Sequence, residues 1–331
     1  MIAQLDFQYL RMKPLKSIAR LISYFCFEGR PLLTRGRWIN PFVFSFLRLI
    51  QKMPKICECE APIYIVGMGR SGSTVLGTVL SMHRDVVFLN EPKALWHLIH
   101  SGEDLLGSYS SEDGKYRLSG EEVTNAQRIA IRKMYSLYLS ITNGKRIIDK
   151  YPEMIFRTAF ICELFPDAKF IFLIRNGWAV CNSVQQWSER FSQWYNGHRY
   201  DWWGKDFRKW NLIIEQLLPE HADLIEHKEE ICKFTNQANM AAVEWIITMH
   251  EGLSLLKRYP GKVMLVRYEA LTKNSSESLT EIMEKLQLSH DSAVIKYAQE
   301  VLRKDLTPKP FSLPKFLEKE FLELMREFKY Q

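Results

Sequence analysis

Pro62-Ile-Tyr-Ile-Val-Gly67-Met-Gly-Arg70-Ser-Gly-Ser-Thr74 is the stretch on which the reading of this chain turns. Residues 62–66 form a short apolar run, rich in β-branched side chains and closed by Gly67, the pattern of a buried strand. Residues 73–82 follow with helical spacing. The turn between them nearly fits the phosphate loop G-x-x-x-x-G-K-[ST], with Gly67, Gly72 and Thr74 in register. Ser73 stands where that loop has lysine, and the basic residue has moved inside the loop, to Arg70. The physical purpose survives the change. Glycines let successive backbone N–H groups converge on an anion, and a helix N-terminus adds partial positive charge. Ser71, Ser73 and Thr74 add hydroxyl donors. A Gly-rich turn alone is weak evidence, since a plain strand-to-helix turn reads the same way. A strand, a turn holding Arg and three hydroxyls, and a helix start together are stronger.

Outward from this loop the strand–helix rhythm continues. Further strands are predicted at 86–89, 145–149, 169–174 and 262–266, and helices at 121–142, 153–164, 177–187, 207–217, 236–258 and 275–287. Strands alternating with helices predict an α/β, P-loop-like three-layer fold with a central, mostly parallel sheet flanked by helices. Ligands then sit at the carboxyl ends of the strands. Residues 101–120 are polar and Gly/Ser-rich and read as a loop. Residues 187–210 are unusually aromatic, and no internal repeat is visible.

The whole chain is 331 residues, 47% apolar and 25% charged, ordinary values for a globular protein that buries a large core. Of the net charge of +7, residues 1–60 carry most, with ten Lys/Arg against four Asp/Glu. We therefore expect a basic helical N-terminal arm at 1–60, packed on a main domain at 61–331. A basic arm also suits an anionic surface such as lipid headgroups, so peripheral membrane contact stands beside the packed-arm reading. Residues 38–50 are too short, and too broken by Pro41 and Arg48, to span a bilayer. Asp6, Arg11 and Lys13 interrupt any signal-peptide pattern. Residues 18–27 suit an interfacial helix or, more blandly, a core-packing one. The six Cys are few and scattered, which leads us to expect reduced thiols and a cytoplasmic protein. No metal-ligand cluster is apparent in the sequence, so no metal is expected.

A second anion-binding element is Phe170-Ile-Phe-Leu-Ile-Arg175-Asn-Gly-Trp-Ala-Val-Cys-Asn-Ser183. Arg175 ends a buried strand and Ser183 lies about two helical turns further on. Such a pair can grip one phosphate from two sides, although an Arg paired with a nearby carboxylate is an equal alternative. The missing loop lysine matters because ATP and GTP hydrolases use it on the β- and γ-phosphates, with Mg²⁺ held by the loop hydroxyl and a strand carboxylate. Asp149 could mimic that carboxylate, but Lys150 directly follows it.

With these motifs in place, the chain resembles sulfotransferases that use 3′-phosphoadenosine 5′-phosphosulfate (PAPS). GRSGSTVL resembles the family's 5′-phosphosulfate motif and FLIRNGWAVCNS its 3′-phosphate motif. The resemblance covers roughly 62–290 and is strongest with the branch of tyrosylprotein and many bacterial sulfotransferases, whose catalytic base is a Glu 21 residues after the loop Arg. That position is Glu91 here. The family's catalytic lysine matches Lys150-Tyr-Pro, its 3′-phosphate pair matches Arg175 and Ser183, and a late Y-E-x-L matches Tyr268-Glu-Ala-Leu. The chain departs from the branch at Asn90-Glu91-Pro92-Lys93, where Glu-Glu-Thr-Arg is common, and in the aromatic insertion near 187–235.

The resemblance implies sulfuryl transfer from PAPS to an acceptor hydroxyl or amine. Glu91 would be the base, and Arg70 and Lys150 would neutralise charge on the leaving phosphate. Arg70, Ser71, Gly72, Ser73, Thr74, Arg175, Ser183 and Tyr268 would bind the nucleotide. Two rivals stay open: a phosphoryl transferase with a degenerate loop, and a non-catalytic nucleotide- or anion-binding module. The aromatics at 187–210, mixed with Glu189, Asp201 and Asp206, suit a sugar or planar small-molecule acceptor more than a tyrosine peptide, and no nucleic acid. Some of them are equally readable as core. His83, in a turn, reads as structural; His97 and His100 are the reserve bases.

Overall fold

Buried apolar runs pair with one another because their backbone groups have no other partners once water is excluded. In the computed structural model, which describes residues 3–111, 113–304 and 308–330, such runs become β1 (Ile63–Gly67), β2 (Val86–Asn90), β3 (Arg146–Lys150) and β4 (Lys169–Ile174). A small separate sheet follows, of β5 (Gln193–Tyr195), β6 (His198–Asp201) and β7 (Gly204–Lys205). After it comes β8 (Val263–Arg267). The main sheet has the order β2-β3-β1-β4-β8, and each neighbouring pair is parallel.

Side chains alternate across it. Ile63, Ile65, Ile171 and Leu173 face one core with the helix Ser73–Leu80. Tyr64, Val66, Phe170 and Phe172 face the other, under the helices Gly177–Phe191 and Gln237–Arg258. The α/β class and the parallel sheet flanked by helices are as the sequence predicts.

The edge strand β2 is covered by the N-terminal segment. Lys16 Nζ donates to Val86 O and Arg20 to Phe88 O. Arg20 is almost fully buried and lies 2.8 Å from Glu28, the pairing a buried guanidinium needs. The 18–27 stretch is the end of the helix Pro14–Ile22 and a π-helical turn, Ser23–Phe27, with Phe27 in the core. Met1 and Ile2 of the arm, and Gln331, lie outside the described residues. Among the described residues no helix is long and apolar enough to cross a membrane. All six cysteines are free thiols.

The aromatic stretch departs from expectation. The helix from Gly177 runs on to Phe191, and residues 193–205 then form the three-stranded antiparallel sheet. Its hairpin turns at Asn196-Gly197, both at positive φ (49° and 76°), the geometry of a type I′ turn.

Candidate active site

The sheet order itself assembles the site. Glu91 follows β2, Lys150 ends β3, the loop 67–72 follows β1, Arg175 follows β4 and Tyr268 follows β8. Because the strands are parallel and adjacent in that order, five sequence-distant groups emerge in one row along the carboxyl edge. Register brings the first two together: Asn90 pairs with Lys150 in the β2–β3 ladder, and Glu91 N donates to Lys150 O at 2.7 Å.

The row opens on a cavity of about 450 Å³. Arg70, Gly72, Ser73, Thr74, Glu91, Lys150 and Arg175 line it. Ser71, Ser183 and Tyr268 do not line it; Ser183 touches Arg70 and the Tyr268 ring lies against Gly72. The loop's shape depends on missing side chains. A Cβ on Gly72 would lie 2.4 Å from the Tyr268 ring, and one on Gly69 would lie 2.6 Å from the Trp202 indole. Arg70 itself has φ 70° and Glu91 φ 49°, left-handed conformations that cost roughly 1–3 kcal/mol each and gather at functional sites.

Arg70 Nε donates to Ser183 Oγ at 3.0 Å, and Arg175 Nη1 donates to Arg70 O at 2.9 Å. The Arg175 guanidinium lies over the Tyr268 ring, 5.0 Å from its centre. Burial and the neighbouring Arg175 charge push the Arg70 guanidinium below its ordinary pKa, with Glu91 pulling the other way. Two cations side by side at the cavity edge, Arg70 exposed and Arg175 half-buried, favour an anion between them. The helix Ser73–Leu80 has no side-chain cap on its first N–H groups, and the buried Ser71 Oγ has no hydrogen-bond partner. These residues fit a phosphate-bearing group.

Further along the cavity lining, charges alternate. Lys150 Nζ donates to Glu91 Oε1, and Lys93 Nζ lies 3.8 Å from Glu91 Oε2. Lys209 Nζ lies 3.4 Å from Glu153 and 2.6 Å from Glu244. Burial raises the Glu91 carboxyl, but Lys150 and Lys93 outweigh it and hold it below the usual carboxylate range. Burial likewise raises Glu153, and Lys209 and Lys93 bring it down to about 2. Both carboxylates therefore stay ionised at neutral pH.

Lys93, Glu153 and Lys209 line the cavity and were not singled out from the sequence. Their signal was position: Lys93 and Glu153 fall two and three residues after the strand-end groups Glu91 and Lys150. The wall segment 31–34, from the N-terminal arm, was also missed.

Other expectations need correction. Asp149 cannot serve as a metal-holding carboxylate at this site. Its side chain points to the opposite core, where Trp96 Nε1 and Tyr135 OH donate to it at 2.8 and 2.6 Å. Successive strand residues face opposite sides, so Lys150 reaches the cavity and Asp149 does not. His83, which the sequence reads as structural, needs none: it is buried, with Ser289 O 2.8 Å from its Nε2 and Asp85 N 3.1 Å from its Nδ1. His97 packs among Phe44 and Tyr109, and His100 against Phe160; neither lines the cavity. Of the aromatic stretch, Trp187, Tyr200 and Trp202 reach the cavity, with Asp201. Trp203 is core, its indole N–H donated to Gln237, and Trp194 and Tyr195 are exposed on the small sheet. Glu189 and Asp206 are tied up by Gln185 and His198.

A family model described as "Sulfotransferase family" matches residues 62–232, just over half of the chain and the part holding Arg70, Glu91, Lys150 and Arg175. The chain belongs to the sulfotransferase family. Among curated relatives, a protein-tyrosine sulfotransferase of Drosophila melanogaster is 26% identical over 165 residues, 49% of this chain and 32% of that protein. The nodulation protein NoeE of Sinorhizobium fredii is 24% identical over 262 residues, 76% of this chain and 54% of that protein. This sulfotransferase-family chain thus spans about a third to a half of the length of these two relatives. Among solved structures, the sulfotransferase domain of the Synechococcus PCC 7002 olefin synthase aligns at 20% identity with a TM-score of 0.48, over 84% of this chain and 98% of that one. Among the described residues no group of three His, Cys, Asp or Glu is placed to hold a metal ion.

Proposed function

We propose that the chain moves a sulfuryl group from PAPS to a hydroxyl, or an amine, of a small-molecule or sugar acceptor. The observation that carries this reading is the row of strand-end groups. Glu91 and Lys150 form an ion pair on the same cavity wall that holds the Arg70 loop and Arg175. A binding module needs cations for an anion; it has no need of a carboxylate held ionised beside them.

Arg70, Ser71, Gly72, Ser73 and Thr74 would hold the 5′-phosphosulfate, and Arg175, Ser183 and Tyr268 the 3′-phosphate side. When bound, PAPS supplies the activated sulfuryl group. Glu91 Oε takes the proton from the acceptor's attacking hydroxyl, and its depressed pKa keeps it in the accepting form. Lys150 Nζ and the Arg70 guanidinium face the same space, where their charge stabilises negative charge developing on the leaving phosphate oxygen. Trp187, Tyr200 and Trp202 also line the cavity, Trp202 against Gly69 of the loop, and would orient a flat or sugar-like acceptor.

The matched protein-tyrosine sulfotransferases favour a second reading for the acceptor alone, a tyrosine side chain presented by a peptide. An acceptor panel of sugars, phenols, amines and tyrosine peptides, incubated with isotopically labelled PAPS and read by mass spectrometry, tests both readings. Labelled product from a small molecule supports the first, and labelled peptide alone supports the second. Tight binding of ATP with Mg²⁺ in place of PAPS would overturn both in favour of phosphoryl transfer.

A further inference from the structure

Residues 29–57 contain no Asp or Glu, yet hold Arg30, Arg35, Arg37, Arg48, Lys52 and Lys55. The structure turns this bias into a surface. The helix Asn40–Lys52 buries Val43, Leu47 and Ile50 and turns Phe42, Arg48, Leu49 and Lys52 outward. Phe42 and Leu49 are each 57% exposed, and Trp38, in the short turn that leads into the helix, is 85% exposed. Arg35 and Arg37 stand exposed on either side of Gly36. Among the described residues, nine of the fifteen large apolar side chains that stay exposed fall before residue 61, and three of them, Trp38, Phe42 and Leu49, belong to this helix and its entry. A folded domain that meets only water does not concentrate them so.

Of those six cations Arg30 is buried and Lys55 is paired with Glu58, which leaves Arg35, Arg37, Arg48 and Lys52 to charge the surface. The helix packs against Lys93–Ile99 and Asn125–Thr142, and neither contains a carboxylate. Asn125–Thr142 contributes the exposed Ile129 beside the shallow hollow that Gln51 and Leu98 help to line. Of the four acids in residues 1–60, Asp6 caps the first helix, Glu28 is buried on Arg20, Glu58 pairs with Lys55 at the end of the basic run, and Glu60 lies beyond it.

We propose that this face, the helix Asn40–Lys52 with its entry at 35–39, docks on an anionic phospholipid surface. Exposed aromatic and aliphatic tips flanked by Arg and Lys are what an interfacial helix needs to enter the headgroup layer while its charges stay with the phosphates. A second copy of the chain fits the face poorly, because a two-fold contact would bring the same cations against each other. The inference stands apart from sulfuryl transfer. It has one consequence for it: residues 31–34 wall the cavity and run directly into Arg35, so a docked molecule holds its cavity beside the headgroups.

Co-sedimentation of the full chain with large unilamellar vesicles tests this. Vesicles of phosphatidylcholine with one-quarter phosphatidylglycerol should bind at least about tenfold more tightly than phosphatidylcholine alone, and 0.5 M NaCl should remove most of the difference. Each exposed Arg near such a surface is worth roughly a fivefold change, so R35A/R37A/R48A should weaken binding about a hundredfold. Trp38→Ser with Phe42→Ser should weaken binding at every salt concentration. All five positions are at the surface, and unchanged thermal melts certify the fold. Equal partition onto neutral and anionic vesicles, or none onto either, overturns the proposal. So does a lipid-free dimer, seen by light scattering, that the triple variant dissociates.

Discussion

Glu91 and Arg175 carry the residue-scale predictions, because each is held by contacts that say what its removal should change. Glu91→Gln keeps the shape and a hydrogen bond to Lys150 but cannot accept a proton. Single-turnover transfer should fall ~10²–10⁴-fold, the usual cost of losing a general base. Calorimetric titration should find 3′,5′-ADP bound as well or slightly better, since a negative charge close to Arg70 is gone. The wild-type rate should hold level on acidification through pH 6 and 5, because the lowered pKa keeps Glu91 ionised below the ordinary glutamate value of about 4.3. A rate that halves near pH 6 would point to another base. Arg175→Ala should weaken PAPS and 3′,5′-ADP roughly ten- to a hundredfold, the worth of a charged hydrogen bond, and adenosine 5′-phosphosulfate much less. Equal weakening of all three would show that Arg175 acts only by holding Arg70 O and the loop.

At the scale of elements, the small sheet β5–β7 separates two tryptophans that are neighbours in sequence. Trp202 covers Gly69 and lies on the cavity; Trp203 points inward against Trp210 and Gln237. Trp202→Ala should therefore raise the acceptor's KM with little loss of stability. Trp203→Ala should cost about 3–5 kcal/mol in chemical denaturation, as buried aromatic truncations do. Reversal of the two effects would invert the assignment of faces. This pair also shows where the sequence stops being legible. Four of the five core strands could be read because each holds a continuous apolar run, and β3 from Ile147-Ile148 alone; Arg70 and Arg175 stood out from their motifs, whereas Glu91, Lys150 and Tyr268 came from the family resemblance. The strands of the small sheet are two to four residues long, too short to show a period, and their one clear mark was Asn196-Gly197. Lys93 and Glu153 were hidden because a lone charge after a strand looks like a solvated turn, and Lys209 because a lysine in a predicted helix looks like its solvated face. Only the fold shows that they pack around one another. The helices Lys93–Ile99, Ser292–Val301 and Lys315–Glu327 were missed as well, the first being only two turns long.

Across the whole molecule, the sheet separates a wet edge from a dry face, and Asp149 reports on the dry one. Burial pushes its carboxyl up to about 7, against the lowering effect of Tyr135 and Trp96, which both donate to Oδ2. Its folded pKa thus lies above the unfolded value of about 3.9. Between about pH 4 and 7 the folded chain keeps a proton that the unfolded chain has released, so this group's contribution to stability falls as pH rises through that window. Asp149→Asn removes the titration. The amide oxygen can still accept from Trp96 and Tyr135, and the Oδ1 position lacks a partner in either case, so any cost of the exchange is constant with pH. The diagnostic quantity is therefore the slope: Tm of the variant minus Tm of the wild type should climb between pH 4 and 7 and level off above. A gap of this size corresponds to up to about 4 kcal/mol, or roughly 2–6 °C in a chain this long. Glu103, also raised to about 7 by burial, titrates in the same window and is present in both proteins, so the subtraction cancels it. A difference that does not change with pH would show that Asp149 is ionised in the fold. In that case two hydrogen bonds would suffice to hold a bare carboxylate in the core behind Lys150.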